Sequence, residues 1–264
     1  MATADSVKAK IQGLIDSSNE TTGQNDTDLT SAVNHLKEGY GQGGGDQSGT
    51  AIWDAILDNG ERTDFICAFA NTSFTKETFK PSHDIKPTTA DRMFYFSAKS
   101  KEKLFKMSDV EKECEMVFDF SNCTNFSSAF DSCFFSELNV IDVSKATNTN
   151  YAFYGGRSPA SVQKINRLIC SEQTNFSSLT FGYNDSLVDI GFEGTIAKNI
   201  NLQWGRKLSK ESILSLINAL SATTSGLTVT LSKAAVDKIH ADLNVTTWFP
   251  ALAETRPNWT ITLV

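Results

Sequence analysis

Asn125-Phe126-Ser127-Ser128-Ala129-Phe130 is echoed by Asn150-Tyr151-Ala152-Phe153, and again by Asn175-Phe176-Ser177-Ser178-Leu179-Thr180-Phe181. The leading asparagines stand 25 residues apart in both steps. Short apolar segments fall between them. Val117-Phe118-Asp119-Phe120-Ser121 matches Val140-Ile141-Asp142-Val143-Ser144 after 23 residues. Leu138 and Ile141 match Val162 and Ile165, which in turn match Leu187 and Ile190. A period of 23–25 residues is the mark of a chain built from stacked supersecondary units.

One such unit cannot bury its apolar face alone, whereas stacked units share a continuous core. The period fits leucine-rich-repeat solenoids, whose units run ~20–29 residues. Each unit is expected to supply one short strand and a turn carrying an inward aromatic. The repeat core then comprises Phe118, Phe120, Phe130, Ile141, Val143, Phe153, Ile165, Phe181 and Ile190, with Phe130, Phe153 and Phe181 as an internal ladder. Asp119 and Asp142 occupy matching places within their strands. Side chains alternate across a strand, so these two are expected on a solvent-facing surface, as candidate recognition residues. Asp64–Phe69 and Arg92–Phe96 read as further strands with less regular spacing.

Towards the C-terminus, Ile213, Leu214, Leu216, Ile217 and Leu220 have helical spacing, with Ser209 as N-cap. Leu227–Leu231 alternates as a strand, Ala234–Leu243 is helical, and Trp259–Val264 is a last strand. Residues 207–264 thus read as strand–helix units that close the stack. At the other end, Val7, Ile11, Leu14 and Ile15 form one helix face, and Leu29, Ala32, Val33 and Leu36 another. Glycines at 39, 41, 43, 44, 45 and 49 follow. Such a run is a flexible tether. Two helices of ~12 residues are marginal alone in water. The stripe Val7, Ile11, Leu14, Ile15, Leu29, Val33 and Leu36 is therefore expected to be an anchoring or oligomer interface. The expected map is a helical hairpin over 1–40, a tether over 41–60, a repeat solenoid over 61–206 and capping units over 207–264. The fold class is α/β, a helical hairpin followed by a leucine-rich-repeat-like solenoid with a strand–helix C-terminal cap.

Composition narrows the function. The net charge of −7 and a pI near 5.0 disfavour nucleic acid and anionic membrane surfaces, which attract positive charge. Phe dominates the aromatics, at 18 against 5 Tyr and 4 Trp, which a repeated core position would explain. No secretory signal and no run of ~18 apolar residues is expected. The five cysteines lack C-x-x-C spacing, so they read as small hydrophobes in a reducing cytosol. His35, His83 and His240 lie in separate segments without metal-ligand spacing. No nucleophile elbow or phosphate loop is present. No catalytic residue, metal or cofactor is assigned.

Three stretches resemble a known group of proteins. Ala9–Ile15, Asn19–Gly23, Leu29–Val33 and Glu38–Gly41 look like the opening of virion structural proteins from tailed phages of Gram-positive hosts. The middle is similar to BspA-type leucine-rich repeats, and Leu208–Ile213 through Arg256–Ile261 is similar to the ends of the same phage proteins. The resemblance implies a non-enzymatic virion protein of tail, baseplate, neck or head-fibre type, assembled in the bacterial cytoplasm. It would join other virion proteins through its N-terminal helices and form a homo-oligomer, with a trimer favoured. Its repeat domain would meet a host-surface glycan or protein, without nucleic acid and without membrane insertion. A bacterial surface adhesin on the same repeat is one alternative. A virion-borne cell-wall glycan hydrolase, with a carboxylate pair ~5–9.5 Å apart, is another.

Overall fold

A computed structural model describes residues 53, 56–72, 74–97, 104–156 and 161–264. The expected helical hairpin, with Val7, Ile11, Leu14, Ile15, Leu29, Val33 and Leu36, lies outside the described residues. The chain divides into two compact units, Met1–Arg62 with Lys80–Ile85, and Thr63–Phe79 with Lys86–Val264. Of the first unit, Trp53 and Leu57 are buried although they fall within the stretch read as tether. A 3-10 turn at Asp58–Gly60 follows them.

The second unit is mixed α/β with two parallel sheets. Its elements are β1 (Phe105–Lys106), α1 (Met107–Cys114), β2 (Phe135–Asp142), β3 (Lys164–Cys170), β4 (Asp189–Gly194), β5 (Ile200–Leu202), α2 (Lys210–Ala219), β6 (Leu227–Leu231), α3 (Lys233–Leu243), α4 (Trp248–Ala253) and β7 (Trp259–Leu263). The first sheet runs β1-β2-β3-β4 and the second β5-β6-β7, in sequence order.

The strand register differs from the apolar spacing. Ile165 lies opposite Leu138, and Ile141 opposite Leu168, so Ile141 and Ile165 are not partners. Ile165 does face Ile190. The reason is the burial of β2, where Phe135, Leu138 and Ile141 go inward every third residue. A slip of three exchanges one buried apolar side chain for another, so hydrophobic spacing does not distinguish the registers. Close backbone approach does distinguish them at β4. A Cβ on Gly191 would stand 2.3 Å from the Asn166 carbonyl oxygen, so only glycine fits beside the irregularity between β3 and β4.

Opposite the first sheet, the chain makes a column of stacked turns. Asp64–Phe69 and Arg92–Phe96 belong to it as turns and not as strands, apart from a single bridge from Asp64 to Thr89. The difference arises from alternating hydrogen bonds. Phe65, Cys67, Phe69 and Asn71 donate their N–H groups to Thr89, Asp91, Met93 and Tyr95 of the next turn. Ala68 and Ala70 donate backwards within their own turn, to Phe65 and Cys67. The chain curls because matching residues are left-handed: Cys67, Arg92, Ser128 and Tyr151 have φ of 53°, 53°, 51° and 58°. The same pattern links Phe94 to Ala129, Phe130 to Ala152 and Phe153 to Thr180.

These bonds bring one phenylalanine per turn into a single stack. Phe69 and Phe94 lie 5.1 Å apart, Phe94 and Phe130 5.6 Å, Phe130 and Phe153 5.7 Å, and Phe153 and Phe181 5.3 Å, all stacked. Each ring is at most 1% exposed. Offset stacking at such separations is a favoured aromatic geometry. Asn125 is bridged to Asn148, not to Asn150, so the 25-residue echo of the asparagines is two residues out of register.

The C-terminal segment closes on itself through one loop. Ser209 caps α2, accepting the Ser212 N–H. Arg256 donates to the carbonyls of Asn218 and Leu220, and Asn258 and Trp259 donate to that of Ser221. The Arg-Pro-Asn-Trp run thereby satisfies carbonyls that the end of a helix leaves open, and Trp259 starts β7 with its ring buried.

Candidate functional site

The expected core residues Phe118, Phe120, Phe130, Ile141, Val143, Phe153, Ile165, Phe181 and Ile190 are all buried. Asp119 and Asp142 are half-buried. The Asp119 carboxylate accepts the N–H of Ser121, and that of Asp142 accepts the N–H of Ser144. A short acidic side chain after a strand can turn the chain by bonding two residues ahead. Both aspartates are thus engaged in turning the backbone from one layer towards the next.

The outer face of the first sheet is a ladder of paired polar groups. Glu137 lies between Asn166, which donates to it at 2.8 Å, and Lys106, 3.2 Å away. Partial burial pushes the Glu137 carboxyl upward, but the Asn166 hydrogen bond and the Lys106 ammonium outweigh it, and the group titrates below its ordinary value. Asn139 donates to Glu111 of α1 at 2.5 Å. Arg167 grips Glu193 with two bonds of 2.6 and 2.7 Å, and this pairing holds the Glu193 carboxyl low. These charges are consumed by their neighbours across the strands.

A different surface is left for contact. Three turns beside the phenylalanine stack carry Tyr154, Tyr183 and Trp204, with Tyr151 on the same turn as Tyr154. Tyr151 meets Tyr154 edge-on at 5.2 Å, Tyr154 and Tyr183 are 5.5 Å apart, and Tyr183 stacks on Trp204 at 4.9 Å. The row is continuous, and Tyr183 is 53% exposed. Glycine makes room for it. A Cβ on Gly156 or Gly182 would lie 2.8 or 2.9 Å from the Tyr154 ring. Two residues beyond Tyr183 and Trp204, Asp185 and Arg206 form an exposed ion pair of 3.7 Å. Flat apolar faces flanked by a carboxylate and a guanidinium can stack on a ring and bind polar groups at its edge. Scanning for Phe at regular spacing passes over this row. Its signal in the sequence is an aromatic residue beside a glycine, at Tyr154-Gly155, Gly182-Tyr183 and Trp204-Gly205.

The remaining chemistry-bearing groups are scattered. His240 accepts the Phe249 N–H at 3.3 Å, His83 sits against Gly60, and His35 is outside the described residues. Asp131 is fully buried and accepts the Ser132 hydroxyl at 2.9 Å. Cys123, Cys133 and Cys170 are buried free thiols, each pushed up to about 12 by burial. Among the described residues, no group of three or more His, Cys, Asp and Glu side chains is placed to hold a metal ion. No helix among them is long and apolar enough to cross a membrane. No protein family, curated protein or solved structure matches the chain.

Proposed function

We propose that the chain is a non-enzymatic virion structural protein of the tailed-phage type, whose repeat solenoid adheres to a host surface through the Tyr154–Tyr183–Trp204 row. The observation that carries the adhesion reading is the aromatic row held on adjacent turns, with Tyr183 exposed and Tyr154 and Trp204 half-buried. Side-chain adaptation is small on such a support, because the Tyr154 turn is hydrogen-bonded to the Tyr183 turn and both are anchored by a buried phenylalanine, while Leu202 and Leu208 are buried beside Trp204. A rigid platform loses little conformational freedom when it binds. Register-matched strands and the five-ring stack support the solenoid reading. The virion assignment rests on the sequence resemblance of the two ends, and the N-terminal helices are proposed to join other virion proteins there in a homotrimer.

Two measurements test this. Mass spectrometry of purified phage particles from the host that carries this gene is expected to find the chain at structural copy number. Fluorescently labelled full-length protein is expected to bind Gram-positive cell walls, and a Tyr183→Ala/Trp204→Ala variant to lose at least ten-fold in affinity. Absence from particles overturns the virion assignment. Undiminished wall binding by the double variant overturns the role of the row.

A further inference from the structure

A second, chemically different site lies on the face of the β5-β6-β7 sheet. The turn Phe176–Ser178 faces β5 and β6 across a cleft of about 320 Å³, whose lining includes Phe176, Ser177, Asn199, Asn201, Thr228 and Thr230 beside Ser178 and the apolar Ile200. We propose that this cleft binds one neutral sugar residue, a hexose or N-acetylhexosamine unit.

The chemistry of the lining selects the ligand. All its residues are uncharged, and no strand of this sheet contains Asp, Glu, Lys or Arg. A phosphate or carboxylate would find no cation there, and a metal ion no carboxylate. A wholly apolar ligand would strip water from hydroxyls and carboxamides without replacing its hydrogen bonds. A neutral polyol meets both conditions.

The polar groups are also held in place. The Asn199 side-chain oxygen accepts the Thr228 N–H at 2.8 Å, and that of Asn201 accepts the Gln203 N–H at 3.0 Å. Each carboxamide is thereby oriented with its Nδ2 group as the remaining donor. Asn201 pairs with Thr230 across the strands, placing an amide beside a hydroxyl at the ~4.8 Å strand spacing. Thr228 and Thr230 share a face, about 6.6 Å apart along the strand. The result is a short grid of donors and of groups that both donate and accept, which suits several hydroxyls on one ring. Phe176, 7% exposed, supplies an apolar edge for the C–H face of the ring. The volume is at the low end of ligand pockets, which run about 300–1,000 Å³, and it limits the site to a single residue.

This assignment does not depend on the virion or adhesion readings. Saturation-transfer NMR on the full chain, with methyl α-glucopyranoside, methyl α-galactopyranoside and methyl β-N-acetylglucosaminide as probes, is expected to give signal from at least one at millimolar concentration. Glucuronate is expected to give none. Thr230→Arg fills the cleft and is expected to abolish the signal. Thr230→Val keeps the shape and removes one hydroxyl, and is expected to weaken binding roughly three- to ten-fold, as loss of a neutral hydrogen bond does. Thr262→Val, on β7 outside the lining, is expected to leave binding unchanged, as is the Tyr183→Ala/Trp204→Ala variant. Silence from all three glycosides overturns the proposal. So does undiminished binding by folded Thr230→Arg or, should that variant not fold, by Thr230→Val.

Discussion

The backbone N–H of Ile190 donates to the side-chain hydroxyl of Ser212 at 2.8 Å. Ile190 belongs to β4, the last strand of the first sheet, and Ser212 to α2. One turn on, Ser215 accepts the Phe192 N–H at 3.2 Å. The Ser209 N–H meets the Val188 carbonyl at 2.8 Å. A sheet edge presents unpaired backbone groups, and a strand is their usual partner. Here a helix replaces the strand, with two serines spaced three apart taking the donors of residues 190 and 192.

Removing one of these hydroxyls is expected to leave a buried donor without its partner. Ser212→Ala should destabilise the protein by about 1–3 kcal/mol, the usual desolvation loss for such a group. Thermal denaturation is expected to show a drop of roughly 5 °C in Tm. Serine to alanine at exposed Ser178 should change Tm by less than 1–2 °C.

The phenylalanine stack predicts a larger effect. Phe130 lies between Phe94 and Phe153 and is 1% exposed. Phe130→Ala is expected to lose about 3–5 kcal/mol through transfer and cavity terms. Phe130→Leu, which fills more of the space, should retain part of that. Urea titration of both variants measures the order; equal losses would show that refilling the volume recovers nothing and that the loss belongs to the ring contacts.

Acid sensitivity follows from Glu137. Its folded titration lies below the unfolded value, so the folded state binds fewer protons across that interval. Its contribution is fully present above the unfolded value, near pH 4–5, and fades as pH falls through the folded value. Glu137→Gln is therefore expected to lower Tm by a few degrees at pH 7 and to make little difference near pH 3. Melting curves from pH 7 to pH 3 check the convergence.

Thiol accessibility provides a further check. Cys67 is exposed, whereas Cys123, Cys133 and Cys170 are buried and protonated at neutral pH. A thiol reagent at pH 7.5 is expected to modify Cys67 quickly and those three only on unfolding. Peptide mapping after a short pulse identifies the sites, and rapid labelling of Cys133 would contradict the packing.

Much of this architecture was legible one residue at a time. Phe130, Phe153 and Phe181 announce a shared core because a large apolar side chain returning after each short segment has nowhere else to go. Ser209 announces the start of α2 because its hydroxyl can bond the N–H three residues on. Phe69 and Phe94 were harder to include. Phe94 and Phe130 are 36 residues apart, since β1 and α1 are inserted between their turns, and the regular period breaks there. Asp119 and Asp142 match in position, yet the 23-residue echo does not reveal that their carboxylates accept the N–H groups of Ser121 and Ser144, two residues ahead.

Residue order alone determined the alternation of short apolar strands with aromatic turns, because burying a side chain depends chiefly on its own chemistry. Only the tertiary structure decided which copies meet. Leu138 faces Ile165, Asn125 faces Asn148, and Ser212 finishes the edge at Ile190. It also decided that Tyr154, Tyr183 and Trp204 form one surface and that Asn201 and Thr230 line one cleft. These pairings join residues 21 to 29 positions apart. The strand and bridge pairings among them rest on hydrogen bonds between backbone groups, which every residue carries alike, so side-chain spacing could not distinguish a true register from one displaced by two or three residues.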